Sequence, residues 1–179
     1  DNNYIDLEVK DVKFQMELKW RPFTGMTVSA LGAYKETYTD TENIVPEYSN
    51  RAQAYRAMGD ATIIRNNKFL WKDQDKPNTL PRTVLPIGGL YNTNQRKMSS
   101  YDFRASASYN TTIKEDHIIN GYGGMEVNSQ DRVNRWSDGY GMQYDSGLEP
   151  FWDYSLFKQL KEKNSPYYGL ERTYSRTLA

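Results

Sequence analysis

The chain lacks cysteine altogether and has a single histidine, His117, among its 179 residues. Without cysteine there is no disulfide, no thiolate metal ligand and no cysteine nucleophile. With one histidine, neither a histidine-based catalytic triad nor a metal site with several histidines can form within the chain. His117 opens a predicted strand beside a turn, where we expect it to be solvated. We therefore expect a protein that is not an enzyme and that holds no cofactor and no metal.

Net charge and long apolar runs are also missing. The chain has 23 Lys and Arg residues against 23 Asp and Glu residues, so its formal net charge is zero. It carries no basic stripe, and we expect no nucleic-acid partner. Mean hydropathy is −0.87, and no apolar run approaches the ~20 residues of a membrane-spanning helix. A membrane β-barrel remains compatible with this composition, because only alternate residues of its strands face lipid.

Two chemical motifs are incomplete. Asp73-Gln74-Asp75 is similar to the start of a calcium loop, but the spacing of an EF-hand then requires an oxygen ligand at Pro77 and a glutamate at Val84. A calcium site completed by other loops stays open. A β-rich glycan hydrolase would need two carboxylates about 5–9.5 Å apart, and spacing singles out no such pair.

Aromatic residues, in contrast, are abundant. They make up 14% of the chain, with fifteen Tyr and four Trp. Such an excess is typical of aromatic rows at membrane interfaces, and equally of surfaces that bind sugars or peptides.

Strict alternation of apolar and polar residues is the clearest pattern. Val12, Phe14, Met16, Leu18 and Trp20 are apolar, and every residue between them is polar. The alternation returns over residues 101–109. A β-strand sends successive side chains to opposite faces, so each segment predicts a strand with one apolar and one polar face.

Five long strands are predicted, at about residues 4–20, 26–40, 99–112, 117–133 and from 167 onward. Residues 21–25 and 113–116 read as short turns. Two long loops, about 41–98 and 134–166, separate the other strands, with short helices predicted near 51–58 and 152–163. Short turns that alternate with long loops are typical of outer-membrane barrels. A soluble β-sandwich usually has strands nearer five or six residues.

Extended segments of the chain resemble the SusC/RagA family of TonB-dependent outer-membrane transporters of Bacteroidota. They are residues 12–33 (VKFQMELKWRPFTGMTVSALGA), 49–57 (SNRAQAYRA), 67–91 (NKFLWKDQDKPNTLPRTVLPIGGLY), 100–109 (SYDFRASASY) and 139–150 (GYGMQYDSGLEP). The resemblance covers essentially the whole chain. It implies an all-β fold in which residues 1–179 form part of an antiparallel transmembrane β-barrel, with both long loops extracellular.

The resemblance also implies a function and partners. Members import large nutrients, commonly glycans or oligopeptides, with a SusD-like surface lipoprotein, and TonB powers passage through a plug. This chain shows no plug, TonB box or signal peptide, so we expect an internal fragment whose neighbours are the remaining barrel strands and outer-membrane lipid. The alternative is a soluble β-sandwich module that binds carbohydrate.

Three sets of residues follow as candidates. The apolar strand positions are expected to face lipid: Phe14, Met16, Leu18, Trp20, Phe103, Ala105, Ala107 and Tyr109. The polar positions between them are expected to line the lumen: Lys13, Gln15, Glu17, Lys19, Asp102, Arg104 and Asn110. The loop aromatics are candidates for contact with sugar or peptide, although they could equally pack the loops on themselves: Trp71, Tyr91, Trp136, Tyr140 and Tyr144.

Overall fold

The structure is a computed structural model that describes residues 3–57, 60–113, 117–147, 150–151 and 153–179. It is mostly antiparallel β, with 62% strand and 15% helix, which confirms the predicted all-β class. No helix among these residues has the length and apolar character needed to cross a membrane.

All five predicted strands are present. They are β1 (Tyr4–Trp20), β2 (Met26–Val45), β5 (Gly89–Ile113), β6 (His117–Met142) and β7 (Tyr168–Leu178). They form one sheet in the order β1-β2-β5-β6-β7. A separate two-stranded sheet pairs β3 (Leu70–Trp71) with β4 (Arg82–Thr83) in antiparallel fashion.

Three strands are longer than predicted. β2 continues to Val45, β5 begins at Gly89 and β6 continues to Met142, so the strands extend into both segments that the sequence assigns to loops. Within the extensions, Val45, Leu90 and Tyr140 are buried among apolar side chains, whereas residues 92–97 are polar at every position and have no apolar face. Cross-strand polar pairs stabilise them instead, including Asn92 with Asp138 (2.5 Å) and Thr93 with Ser137 (2.9 Å).

The register between neighbouring strands is regular. Asn92 lies opposite Asp138, and twelve residues further along β5 Arg104 lies opposite Glu126, at 2.9 Å. Between β6 and β7, Glu126 and Ala179 exchange both backbone hydrogen bonds. The register therefore fixes which side chains share a face.

The three α-helices among the described residues are short, and each begins with a side-chain cap. They are α1 (Asn50–Arg56), α2 (Ala61–Asn66) and α3 (Tyr154–Glu162), capped by Ser49, Asp60 and Asp153 respectively. α1 and α3 confirm the predicted helices, whereas α2 was not predicted from the sequence. Trp152 and residues 114–116, which belong to a predicted helix and a predicted turn, lie outside the described residues.

The chain divides into two compact units. The first, which we call the loop unit, comprises residues 1–8, 40–95 and 135–170; the second, the strand unit, comprises 9–39, 96–134 and 171–179. The core of the loop unit is a buried apolar cluster to which the strand ends, loops and α3 all contribute. It contains Val45, Ala52, Phe69, Val84, Leu85, Leu90, Tyr140, Leu156 and Leu160.

Candidate functional site

The strand unit has one apolar face. Tyr34 on β2 and Tyr101 on β5 lie side by side on it, with ring centroids 4.9 Å apart. Phe103, Ala105, Ala107 and Tyr109 alternate with polar residues and therefore share the side of Tyr101. The neighbouring strands contribute apolar residues at the same levels. These are Phe14, Met16 and Leu18 of β1, Val28 and Ala30 of β2, and Met125 and Val127 of β6.

Large side chains of this apolar face are open to solvent. Phe14 is 64% exposed, Leu18 is 65% exposed and Phe103 is 44% exposed. A packed protein core would bury such side chains almost completely. Within the described residues, the apolar face therefore has no protein covering over these positions.

Aromatic residues lie at both ends of the apolar face. At the end next to the turn, Trp20 is the last residue of β1 and Tyr109 lies four residues before the end of β5. The Phe23 ring meets the Tyr109 ring edge-on, with centroids 6.0 Å apart. At the other end, Tyr174 of β7 joins Tyr34 and Tyr101, and its hydroxyl lies 3.1 Å from the Ser129 Oγ. Arg176 lies at the level of Ser129, where its long side chain can extend toward water.

Ion pairs begin immediately beyond the Tyr34–Tyr101 pair. Lys97 Nζ lies 3.0 Å from Glu36 Oε1 on the same face. Arg172 forms a two-point pair with Asp131, at 3.0 and 2.5 Å. The apolar face thus changes sharply to a charged surface at this level.

The opposite face of the strand unit is polar, and its side chains are paired across strands. Arg104 pairs with Glu126, Asp102 accepts a hydrogen bond from Asn128, and Ser29 and Ser106 lie 2.8 Å apart. On β1, Lys19 lies 3.0 Å from Glu17. The polar positions predicted from the sequence are all on this face, and these contacts account for four of them: Glu17, Lys19, Asp102 and Arg104.

The polar face also carries an open cavity of about 410 Å³. Arg96, Arg132 and Glu171 contribute to its lining. The two arginines were not selected from the sequence. Arg96 lies in the extension of β5, where residues 92–97 are all polar, and Arg132 lies near the end of the predicted strand 117–133, where residues 128–132 are all polar, so no alternation distinguishes the two faces.

Tyr140, one of the predicted loop aromatics, lies inside the core of the loop unit. Its ring packs between those of Phe69 and Tyr167, with centroid distances of 5.2 and 5.6 Å. Burial, with Asp138 nearby, raises the pKa of the Tyr140 phenol. Burial likewise raises the pKa of Tyr167 to about 12, with Asp153 contributing. Tyr140 therefore packs the loop unit in this structure.

Three further predicted aromatics are also engaged in internal contacts. The Tyr144 hydroxyl donates to the Leu90 carbonyl at 2.5 Å. Tyr91 is half-buried, and burial followed by its hydrogen bond to Glu42 raises the pKa of its phenol. The Trp136 indole lies across Gly169 of β7, where a methyl group would overlap it.

Trp71 differs from the other loop aromatics because it borders a cavity. The Arg82 guanidinium lies 5.7 Å and the Lys158 ammonium 5.1 Å from its ring centroid. The cavity has a volume of about 210 Å³. Its lining consists of Trp71, Asp73, Lys76, Thr79, Leu80 and Arg82.

No cluster of three or more Asp, Glu or His side chains in the described part of the chain is arranged to hold a metal ion. Neither the models of known protein families nor the curated proteins include a match to this chain.

Proposed function

We propose that this chain forms part of the wall and the outer loops of a β-barrel importer in the bacterial outer membrane, similar to the SusC/RagA transporters. The observation that carries the proposal is the solvent-open apolar face of the strand unit, bounded by aromatic residues at both ends. Exposing such a face to water is unfavourable, whereas lipid tails can cover its apolar side chains without a second layer of protein.

The distance between the two aromatic rows supports the proposal that the apolar face spans a membrane. Tyr101 and Tyr109 are eight residues apart on β5, which is about 26 Å along a strand at ~3.3 Å per residue. With the ~35–45° tilt of barrel strands the height is about 20 Å, comparable with the ~25 Å apolar band of outer-membrane barrels. The ion pairs Glu36–Lys97 and Asp131–Arg172 then lie outside the lipid.

The polar face supports a wet lumen. Its charged side chains are partnered across strands rather than buried, as Arg104 and Glu126 illustrate. In this proposal the apolar face contacts lipid, the polar face meets the plug, and the long loops lie outside, where a SusD-like lipoprotein docks. The cargo is a glycan or an oligopeptide, and TonB acts through a plug that other parts of the protein supply.

The alternative of a soluble β-sandwich requires a second sheet over Phe14, Met16 and Leu18. Among the described residues, the only other sheet is the two-residue pair of β3 and β4, and these side chains are exposed. The exposed face therefore favours the membrane barrel over the sandwich.

Membrane flotation tests the proposal. The chain is refolded from urea in the presence of lipid vesicles and in their absence, and each sample is centrifuged through a density gradient. We expect the folded chain to float with the vesicles, to resist an alkaline wash and to aggregate when lipid and detergent are both absent. A soluble, folded monomer in plain buffer would contradict the proposal.

A further inference from the structure

The cavity beside Trp71 combines an aromatic ring with an excess of positive charge. Trp71 comes from β3, Arg82 from β4 and Lys158 from α3, so three elements of the loop unit converge on one ring. Lys76 and Arg82 line the cavity, against a single lining carboxylate, Asp73. The lining therefore favours an anionic group over a cationic one.

Arg82 is held in position by two contacts. Its guanidinium lies over the Trp71 ring, and one of its nitrogens donates to Ser155 Oγ at 3.4 Å. A guanidinium has five N–H donors, so further donors remain for a ligand. A pre-positioned arginine loses less conformational freedom when it binds a carboxylate or sulfate.

The chain that encloses the cavity is built from tight turns. The Thr79 Oγ1 donates to the Lys76 carbonyl at 2.8 Å, and the Asp75 amide donates to Asp73 Oδ1 at 3.1 Å. The other Asp73 oxygen can accept a hydrogen bond from a ligand hydroxyl. The volume of about 210 Å³ is below the roughly 300–1,000 Å³ of pockets for drug-sized ligands, and suits a single ring.

We propose that this cavity binds an acidic sugar residue, with Arg82 and Lys76 on its carboxylate or sulfate, Asp73 on a hydroxyl and Trp71 beside the ring. The cavity would then select acidic saccharides from neutral ones. Its part in nutrient capture rests on the proposed function, whereas the binding itself requires no membrane insertion.

Titration calorimetry on the full chain in detergent tests this selection. The probes are trigalacturonate, a sulfated galactotriose and neutral galactotriose, each at low and high salt. We expect one or both acidic probes to bind, neutral galactotriose to bind at least about ten-fold more weakly, and added salt to weaken the binding of the acidic probes. Equal affinity for acidic and neutral probes, or no binding of either acidic probe, would overturn the proposal.

Variants locate the binding on the cavity. Arg82→Gln and Lys76→Gln are each expected to weaken binding of the acidic probe about ten-fold, and Trp71→Ala to weaken both charged and neutral oligomers. Lys161→Gln, on an exposed part of α3, is the matched control and should bind as the parent does. Equal binding by Arg82→Gln and Lys161→Gln, or binding of aspartate-rich peptides in place of saccharides, would overturn the proposed site.

The same measurements separate this proposal from the proposed function. Acidic-saccharide binding by a chain that stays soluble in plain buffer would uphold the binding site in the cavity and contradict only the proposed importer.

Discussion

The rings of Tyr34 and Tyr101 lie side by side on neighbouring strands, with their centroids 4.9 Å apart. Immediately beyond them, Glu36 accepts the Tyr34 hydroxyl hydrogen bond and pairs with Lys97. On the other side, β5 continues with Phe103, Ala105 and Ala107, all on the same face. The Tyr34–Tyr101 pair therefore marks the level at which the apolar face ends, and in the proposed membrane wall this level would be the interface between lipid and water.

Arginine substitutions test the two faces of β1. We expect Met16→Arg to lower the free energy of unfolding in lipid vesicles by about 2–4 kcal/mol, because the charge would enter the centre of the apolar band. Gln15→Arg, on the adjacent polar face, should change it little. Urea titration of both variants in the same vesicles measures the difference, and equal losses would argue against a lipid-facing side.

Gly169 is expected to tolerate no side chain, because Trp136 lies across it. Gly169→Ala should cost about 1–3 kcal/mol of stability through overpacking. Gly123→Ala is the matched control, since nothing lies within 4 Å of a methyl group there. Combining Gly169→Ala with Trp136→Ala should recover part of the loss in a double-mutant cycle; strictly additive losses would show that the two residues do not interact.

Alkaline pH should weaken the loop unit. The folded state raises the pKa of Tyr140, and raises that of Tyr167 to about 12, whereas an unfolded tyrosine ionises near ~10. Above about pH 10 the unfolded state binds fewer protons than the folded state. The free energy of unfolding therefore keeps its full value below ~10 and falls as pH rises toward ~12. Chemical unfolding measured at intervals from about pH 8 to about pH 12 should show the fall.

The prediction for Tyr140 and Tyr167 has a matched control. Tyr140→Phe combined with Tyr167→Phe should make the alkaline decline shallower, while Tyr154→Phe, at an exposed position of α3, should leave it unchanged. Declines of equal steepness in both variants would contradict the assignment to the buried phenols.

Arg56 is expected to hold the connection into β5. Its guanidinium donates to the carbonyls of Pro86 and Gly88 at 2.9 and 2.6 Å, and it lies 3.4 Å from Glu47 Oε1. Arg56→Met should destabilise the loop unit by about 1–3 kcal/mol, because both carbonyls lose a charged donor. Arg51→Met, on an exposed position of the same helix, should be near neutral; near-ultraviolet circular dichroism during guanidinium unfolding compares the two.

The long strands could be predicted because one of their faces is apolar. The alternation from Val12 to Trp20 is enough by itself to predict both the strand and its two faces. The strand extensions could not be found in this way, since Asn92 and Thr93 are both polar and their stability comes from partners on β6 that lie far away in the sequence. The loop aromatics were the least predictable, because a buried Tyr140 and a cavity-lining Trp71 look alike in sequence.

A chain without cysteine accepts single spin labels at chosen positions, which gives the most direct test of the lipid-facing side. Nitroxides at Phe103, Ala105 and Ala107 are compared with nitroxides at Arg104, Ser106 and Ser108, with the chain in lipid vesicles. The odd positions should collide preferentially with lipid-soluble oxygen and the even positions with a polar nickel complex, alternating at every residue. Odd positions that meet neither reagent, as in a packed protein core, or that meet the nickel complex as readily as the even ones, would contradict a membrane wall.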